Sequence, residues 1–224
     1  MKAADFFTLP ASLAPFGEFF HADASPWAWV RNIQAAFAIE RFAAKPQNLP
    51  PGIHVQGFVY IHPSVILPHT ATLLGPLWLG EDTVVLPGAI LRGNVITGKG
   101  CTLAAGGLFE NCVLMDRVTS EHLTHVADSI IGTGVYLGVG ATLASRRLEP
   151  RIARSRSVDL VIEESLERIG AIVGDDAVVC SQAVLNPGSL LGRRSLVMPG
   201  VVFSGHLPSS SKASARGDLD ISAL

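Results

Sequence analysis

The feature that most constrains this chain is a period of six. From Ile61, steps of six fall on Leu67, Leu73, Leu79, Val85, Leu91, Thr97, Leu103, Phe109 and Met115, and only Thr97 is polar. Four places after each anchor comes a mostly small residue, as at Val65, Ala71, Thr83, Ala89, Val95, Cys101 and Gly107. The register returns at Ile131, Leu137 and Leu143, then at Val173, Val179, Leu185, Leu191, Val197 and Phe203. Six is neither the helical period nor strand alternation. It suits a flat-sided solenoid of short strands and tight turns, each anchor pointing inward and stacking on the anchor of the next coil. Glycine directly after several anchors (Gly80, Gly132, Gly174, Gly192) supplies the backbone freedom that corners need.

Two places break the count. Met115 to Ile131 is not a multiple of six, so the pattern predicts a register slip containing His122 and His125. From Ser145 to Gly170 the pattern is lost, and the stretch carries Arg146, Arg147, Arg151, Arg154, Arg156 and Arg168. It reads as a protruding insert whose arginines form either a solvated surface or extra positive charge for a site. Ahead of the solenoid, SPWAWVRNIQAAFAIERFAA reads as a helix, with Ser25 as N-cap, Pro26 at its first position, and Trp27, Val30, Ile33 and Phe37 on one face. Its expected task is to cover the open first coil, since a bare solenoid end invites aggregation. The expected organisation is residues 1–50 as an N-terminal segment with this capping helix, 51–206 as the solenoid with 145–170 inserted, and 207–224 as a flexible tail. The tail's Arg216 to Asp218 triplet reads as coincidence.

No apolar run nears the roughly 18 residues of a membrane span, and the net charge of −2 gives no field that recruits nucleic acid or anionic membranes. The start shows no charged region followed by an unbroken apolar core, so a cytoplasmic location is expected. Cys101, Cys112 and Cys180, without paired spacing, read as buried thiols.

The repeat resembles that of the hexapeptide-repeat proteins, which implies an all-β, left-handed parallel β-helix with three hexads per triangular coil. Within it, ILRGN (90–94), FENCVLMD (109–116), HLTHVADSIIGTGVYLGVGAT (122–142) and GAIVGDDAVVCSQAVLNPG (170–188) are similar to the acetyltransferase half of bifunctional sugar-1-phosphate nucleotidylyltransferase/amino-sugar acetyltransferases, the enzymes of UDP-N-acetylglucosamine synthesis. The nucleotidyltransferase half, with its Gly-rich phosphate loop, has no counterpart in this sequence. The resemblance implies acetyl-CoA as co-substrate and His122 as general base, a task suited to an imidazole. It implies the Val139 N–H as oxyanion donor and cofactor contact, Ser181 as the second contact to the acetyl carrier, and Arg92 as phosphate ligand. Four substrate positions depart from the pattern: Glu110 stands for a lysine, His125 for a tyrosine, Tyr136 for an asparagine and Ser145 for an asparagine.

The reading is an acetyl-CoA-dependent acyltransferase acting on an amino group of a sugar phosphate or nucleotide sugar, assembled as a homotrimer with sites between neighbours. The alternative is a catalytically degenerate relative that binds a sugar nucleotide or partner protein. A zinc hydratase is a third reading. It would need three histidine ligands with an HxxxxH pair, a pattern the sequence lacks, so no metal is expected.

Overall fold

Leu73 pairs beside Leu91 and Val85 beside Leu103, each eighteen residues on, so three hexads close one coil. The computed structural model describes residues 1–37, 49–146 and 168–215. It is a left-handed parallel β-helix of about eight turns. The first face holds Ile53–Gln56, Ala71–Leu74, Thr142–Leu143, Val184–Leu185 and Val202–Phe203. The second holds Val59–Ile61, Leu77–Leu79, Ala171–Val173, Ser189–Leu191 and His206–Leu207. Three longer strands, Ile90–Thr97, Leu108–Leu114 and His125–Ile131, run round the corner and join these two faces into one sheet. The third face is a separate parallel sheet from Val84–Val85 to Lys212–Ala213.

The inward column is apolar and closed. Leu73, Leu91, Phe109, Val126, Leu143 and Leu185 are fully buried along the first face, each burial contributing about 1.5–3 kcal/mol. Polar Thr97 fits this column because its hydroxyl accepts the Gly80 N–H at 2.9 Å.

The register slips at two places: at Asp128, inside the expected interval, and at Asn111, ahead of it. After Phe109 the next anchor is Leu114, and after Val126 it is Ile131. Both intervals are one residue short. The cause is the corner between the first and second faces, which Gly93 and Asn94 turn with two left-handed residues (φ 58° and 60°), whereas Asn111 (45°) and Asp128 (47°) turn it alone. Each single-residue corner drops a position from its coil, so Arg92 faces Glu110 but Val95 already faces Cys112. Met115 is therefore no inward anchor but packs with the N-terminal segment, and His122 and His125 sit in unbroken register.

Helix α1 spans Pro26–Ala35, and residues 38–44 of the expected helix lie outside the described ones. Ser25 stands at the N-cap without a side-chain cap bond. The helix does not sit over the first coil, whose inward Ile53, Val55, Ile61, Val65 and Leu67 stay half-buried. Its buried Trp27, Trp29, Val30 and Ile33 join Phe6, Phe16 and Phe20 against Ile96, Val113, Ile130, Ile172 and Leu190. Those are the outward residues of the second face. An apolar stripe buries more area against this flat apolar face than across a narrow coil end. Asp175 fastens the segment, accepting the Thr8 N–H at 3.0 Å and pairing with Arg193 at 3.0 Å, and the Ser12 hydroxyl donates to Asp116.

The solenoid also runs past the expected end at residue 206. Lys212–Ala213 pairs with Leu196–Val197, so part of the expected tail is another rung. Residues 216–224 lie outside the described ones, as do Arg147, Arg151, Arg154 and Arg156 of the insert. The ladder closes across the insert: Thr142 pairs with Val184. Arg146 and Arg168 form an antiparallel bridge at its neck.

Candidate functional site

The two edges of the first face collect nearly all the residues singled out by the sequence. At the edge shared with the third face, here the histidine corner, successive coils place Pro87, Ala105, His122, Val139, Ser181 and Pro199 in one slot. Ladder bonds hold the stack: the Gly140 N–H donates to the His122 carbonyl at 2.9 Å, and the Gln182 N–H to the Val139 carbonyl at 2.8 Å. His122, Val139 and Ser181 are thus consecutive neighbours. Proline in the same slot of two other coils shows that the ladder does not use this N–H. The Val139 N–H has no partner among the described residues.

The slot after it takes a left-handed backbone. Gly88, Gly106, Gly140 and Gly200 occupy it, as does Gln182, but after His122 it is Leu123 (φ 60°, 66% exposed). A bulky residue there costs about 1–2 kcal/mol, and such strain concentrates at functional positions. The signal was present in the sequence as a leucine where other coils have glycine. The His122 side chain is 62% exposed, and its Nδ1 lies 3.5 Å from Glu121 Oε2. Glu121 also faces Tyr136 on the third face; burial, then the charge and hydrogen bond of Glu121, raise the Tyr136 pKa. Glu121 therefore bridges Tyr136 and His122, a role no motif announced.

The arginine corner, on the far edge of the first face, is differently built. Arg92 meets Glu110 Oε2 through Nε at 3.2 Å and Nη2 at 2.7 Å. Arg168, from the end of the insert, donates to Glu110 Oε1 at 3.0 Å and lies 3.7 Å from Asp128 Oδ2. Burial alone would raise the Glu110 pKa, but the two guanidiniums outweigh it and hold the carboxyl below the usual range. Asn94, Asn111 and Asp128 stack as a ladder beneath, with Asn111 Nδ2 donating to Asp128 Oδ1 at 2.7 Å. Asp128 is buried, and its Oδ2 accepts no hydrogen bond. It orients neither histidine by hydrogen bond. His125 lies between the corners on the first face, its pKa lowered first by desolvation and further by Arg92 and Arg168.

Ser145 is buried at the neck of the insert, where its carbonyl accepts the Ile169 N–H at 2.9 Å. The structure therefore groups His122, Val139, Ser181 and, next to them, Tyr136; it groups Arg92 with Glu110; and it leaves Ser145 at the neck.

A hexapeptide-repeat β-helix with polar groups gathered on two of its corners is the class that fold and site define. Among known proteins, an uncharacterized acetyltransferase, YaiX, of Escherichia coli O6:K15:H31 (strain 536 / UPEC) is 23% identical over 155 residues, covering 69% of this chain and 67% of that protein. The bifunctional protein GlmU of Methanococcus maripaludis (strain C5 / ATCC BAA-1333) is 26% identical over 139 residues, covering 61% of this chain. The chain spans about a third of that bifunctional relative (32%). A solved structure, LpxA, a UDP-N-acetylglucosamine acyltransferase from Bacteroides fragilis 9343, is 15% identical with a TM-score of 0.41, covering 75% of this chain and 71% of its own. No family model matches. The chain is thus similar in sequence to acetyltransferases.

Proposed function

We propose that the chain is an acetyl-CoA-dependent acyltransferase acting on an amino group of a sugar phosphate or nucleotide sugar. The observation that carries this reading is the stack of His122, Val139 and Ser181 on one exposed corner. Acetyl-CoA supplies a thioester carbonyl. The acceptor nitrogen forms the new C–N bond, the C–S bond breaks, and the proton passes from nitrogen through His122 to the departing thiolate. A proton on Nδ1 facing Glu121 leaves Nε2 as the accepting atom. The Val139 N–H donates to the carbonyl oxygen as charge gathers there, and the Ser181 hydroxyl, one coil on, contacts the carrier.

The first face gives the acceptor its floor. His122 and the position level with Glu110 stand at opposite edges of this face, with His125 between them. We infer a homotrimer from the same resemblance. The third face and the first lack the covering that the N-terminal segment gives the second, and they expose Tyr136, Ile90 and Val202. Sedimentation equilibrium returning three times 23.6 kDa is the expected result, and a monomer at micromolar concentration would exclude it.

The deciding assay follows acetyl-CoA consumption over amino sugars, their 1-phosphates and UDP-linked forms, with His122→Ala beside the native chain. Turnover that the substitution abolishes is expected. No turnover with any acceptor, or equal turnover in the variant, would leave the binding-protein reading, which the ion-paired state of Arg92 favours.

A further inference from the structure

The arginine corner has a chemistry that the acyltransfer reading does not use. Two guanidiniums, Arg92 and Arg168, are matched there by two carboxylates, Glu110 and Asp128, within 2.7–3.7 Å. A phosphate monoester carries close to two negative charges near neutrality and only accepts hydrogen bonds. To reach Arg92 it would displace Glu110 from a two-pronged contact and then lie beside both carboxylates. Like charges that close in a partly buried site disfavour binding.

A hydroxyl group fits the same corner without that conflict. It accepts from a guanidinium with one lone pair and donates to a carboxylate with its proton. Arg92 and Arg168 are each half-exposed and offer the donors. Glu110 offers an accepting edge, and Asp128, buried beneath with its Oδ2 3.7 Å from Arg168, balances that guanidinium's charge from below. The floor agrees, since burial lowers the His125 pKa even against the opposing charge of Glu110, with smaller help from the two arginines. The whole surface is polar, charge-balanced and supplied with donors and acceptors side by side.

We propose that the corner of Arg92, Glu110, Asp128 and Arg168 binds the hydroxyl groups of an uncharged sugar ring rather than a phosphate monoester, and that Glu110 sets this choice. The proposal rests on the acyltransferase reading for its place on the acceptor path and refines it. Any phosphate of the acceptor lies away from Arg92, and a hexosamine 1-phosphate seated there is not the substrate. Arg168 becomes a specificity-determining residue, carried in from the end of the insert.

The test is equilibrium binding by calorimetry, with D-glucosamine and D-glucosamine 1-phosphate as probes, on the native chain, Glu110→Lys and Glu110→Gln. The native chain is expected to bind the 1-phosphate no more tightly than glucosamine, which has the same amino group and no phosphate. Glu110→Lys is expected to tighten the 1-phosphate about tenfold while changing glucosamine about twofold or less. Glu110→Gln keeps the side-chain shape, should fold if the lysine variant does not, and is expected to fall between. A native preference for the 1-phosphate of about tenfold, a probe ratio unmoved by both substitutions, or failure of both probes to bind any form overturns the proposal. Binding needs no turnover, so a chain that never consumes acetyl-CoA yet shows the expected ratios refutes the acyltransfer reading alone.

Discussion

The two corners flanking the first face are turned by similar left-handed residues yet treat charge in opposite ways. At the histidine corner His122 stands exposed with one carboxylate at 3.5 Å, and beside it a main-chain N–H has no partner in the described chain. At the arginine corner Arg92 and Arg168 are met by Glu110 and Asp128, three of the four contacts lying at or below 3.2 Å. The first arrangement leaves groups free to react; the second spends them on one another and leaves a neutral, hydrogen-bonding surface. On the proposed function, chemistry and recognition are divided between two edges of one sheet.

His122→Ala breaks this contrast most severely. A lost general base is expected to lower kcat by about 10²- to 10⁴-fold. Thermal unfolding should not move, because the side chain is exposed, and a lower melting temperature would mark a structural role instead. Val139→Pro comes next. Pro87 and Pro199 already fill this slot, so the variant is expected to fold normally and lose about 10²- to 10³-fold in kcat through the missing donor. An unfolded variant would show that the slot is not equivalent between coils, and full activity would remove Val139 from the oxyanion role.

At the other corner effects on stability should dominate. Asp128→Ala strands the Asn111 amide and leaves Arg168 with one carboxylate, so a loss of about 1–3 kcal/mol is expected from urea unfolding. An unchanged midpoint would mean that the Asx ladder carries no stability. The smallest effect is on pH. The folded pKa of Glu110 is depressed, so its stabilising contribution is present above the unfolded value and lost as pH falls through the folded one. The urea midpoint of the native chain should therefore drop more than that of Glu110→Gln between about pH 5 and about pH 3; parallel curves would show that the pairs are screened to nothing.

Much of the fold was legible because the period is a local rule. Leu73, Leu91, Leu137 and Leu185 each announce an inward position within six residues of the next, and the coil follows from repetition. The histidine corner was legible in part: Val139 and Ser181, forty-two residues apart, occupy one phase of that period, whereas His122, seventeen residues before Val139, joins their slot only because Asp128 turns its corner alone. Half of the slip was missed because Asn111 shortens a corner ahead of Met115 as Asp128 does after it, and a count of anchors detects the total shift but not where the backbone takes it up.

The sequence by itself determined the period, and with it the parallel coils and the inward column, because stacking identical hexads has one solution that buries every anchor. Only the tertiary structure decided where the N-terminal segment docks and what Arg92 touches. The segment's apolar stripe could cover a coil end or a face, and the greater apolar area lies on the second face. Glu110 is paired by Arg92 from the previous coil and by Arg168 from fifty-eight residues downstream. That pairing depends on how many residues turn each corner and on where the insert returns.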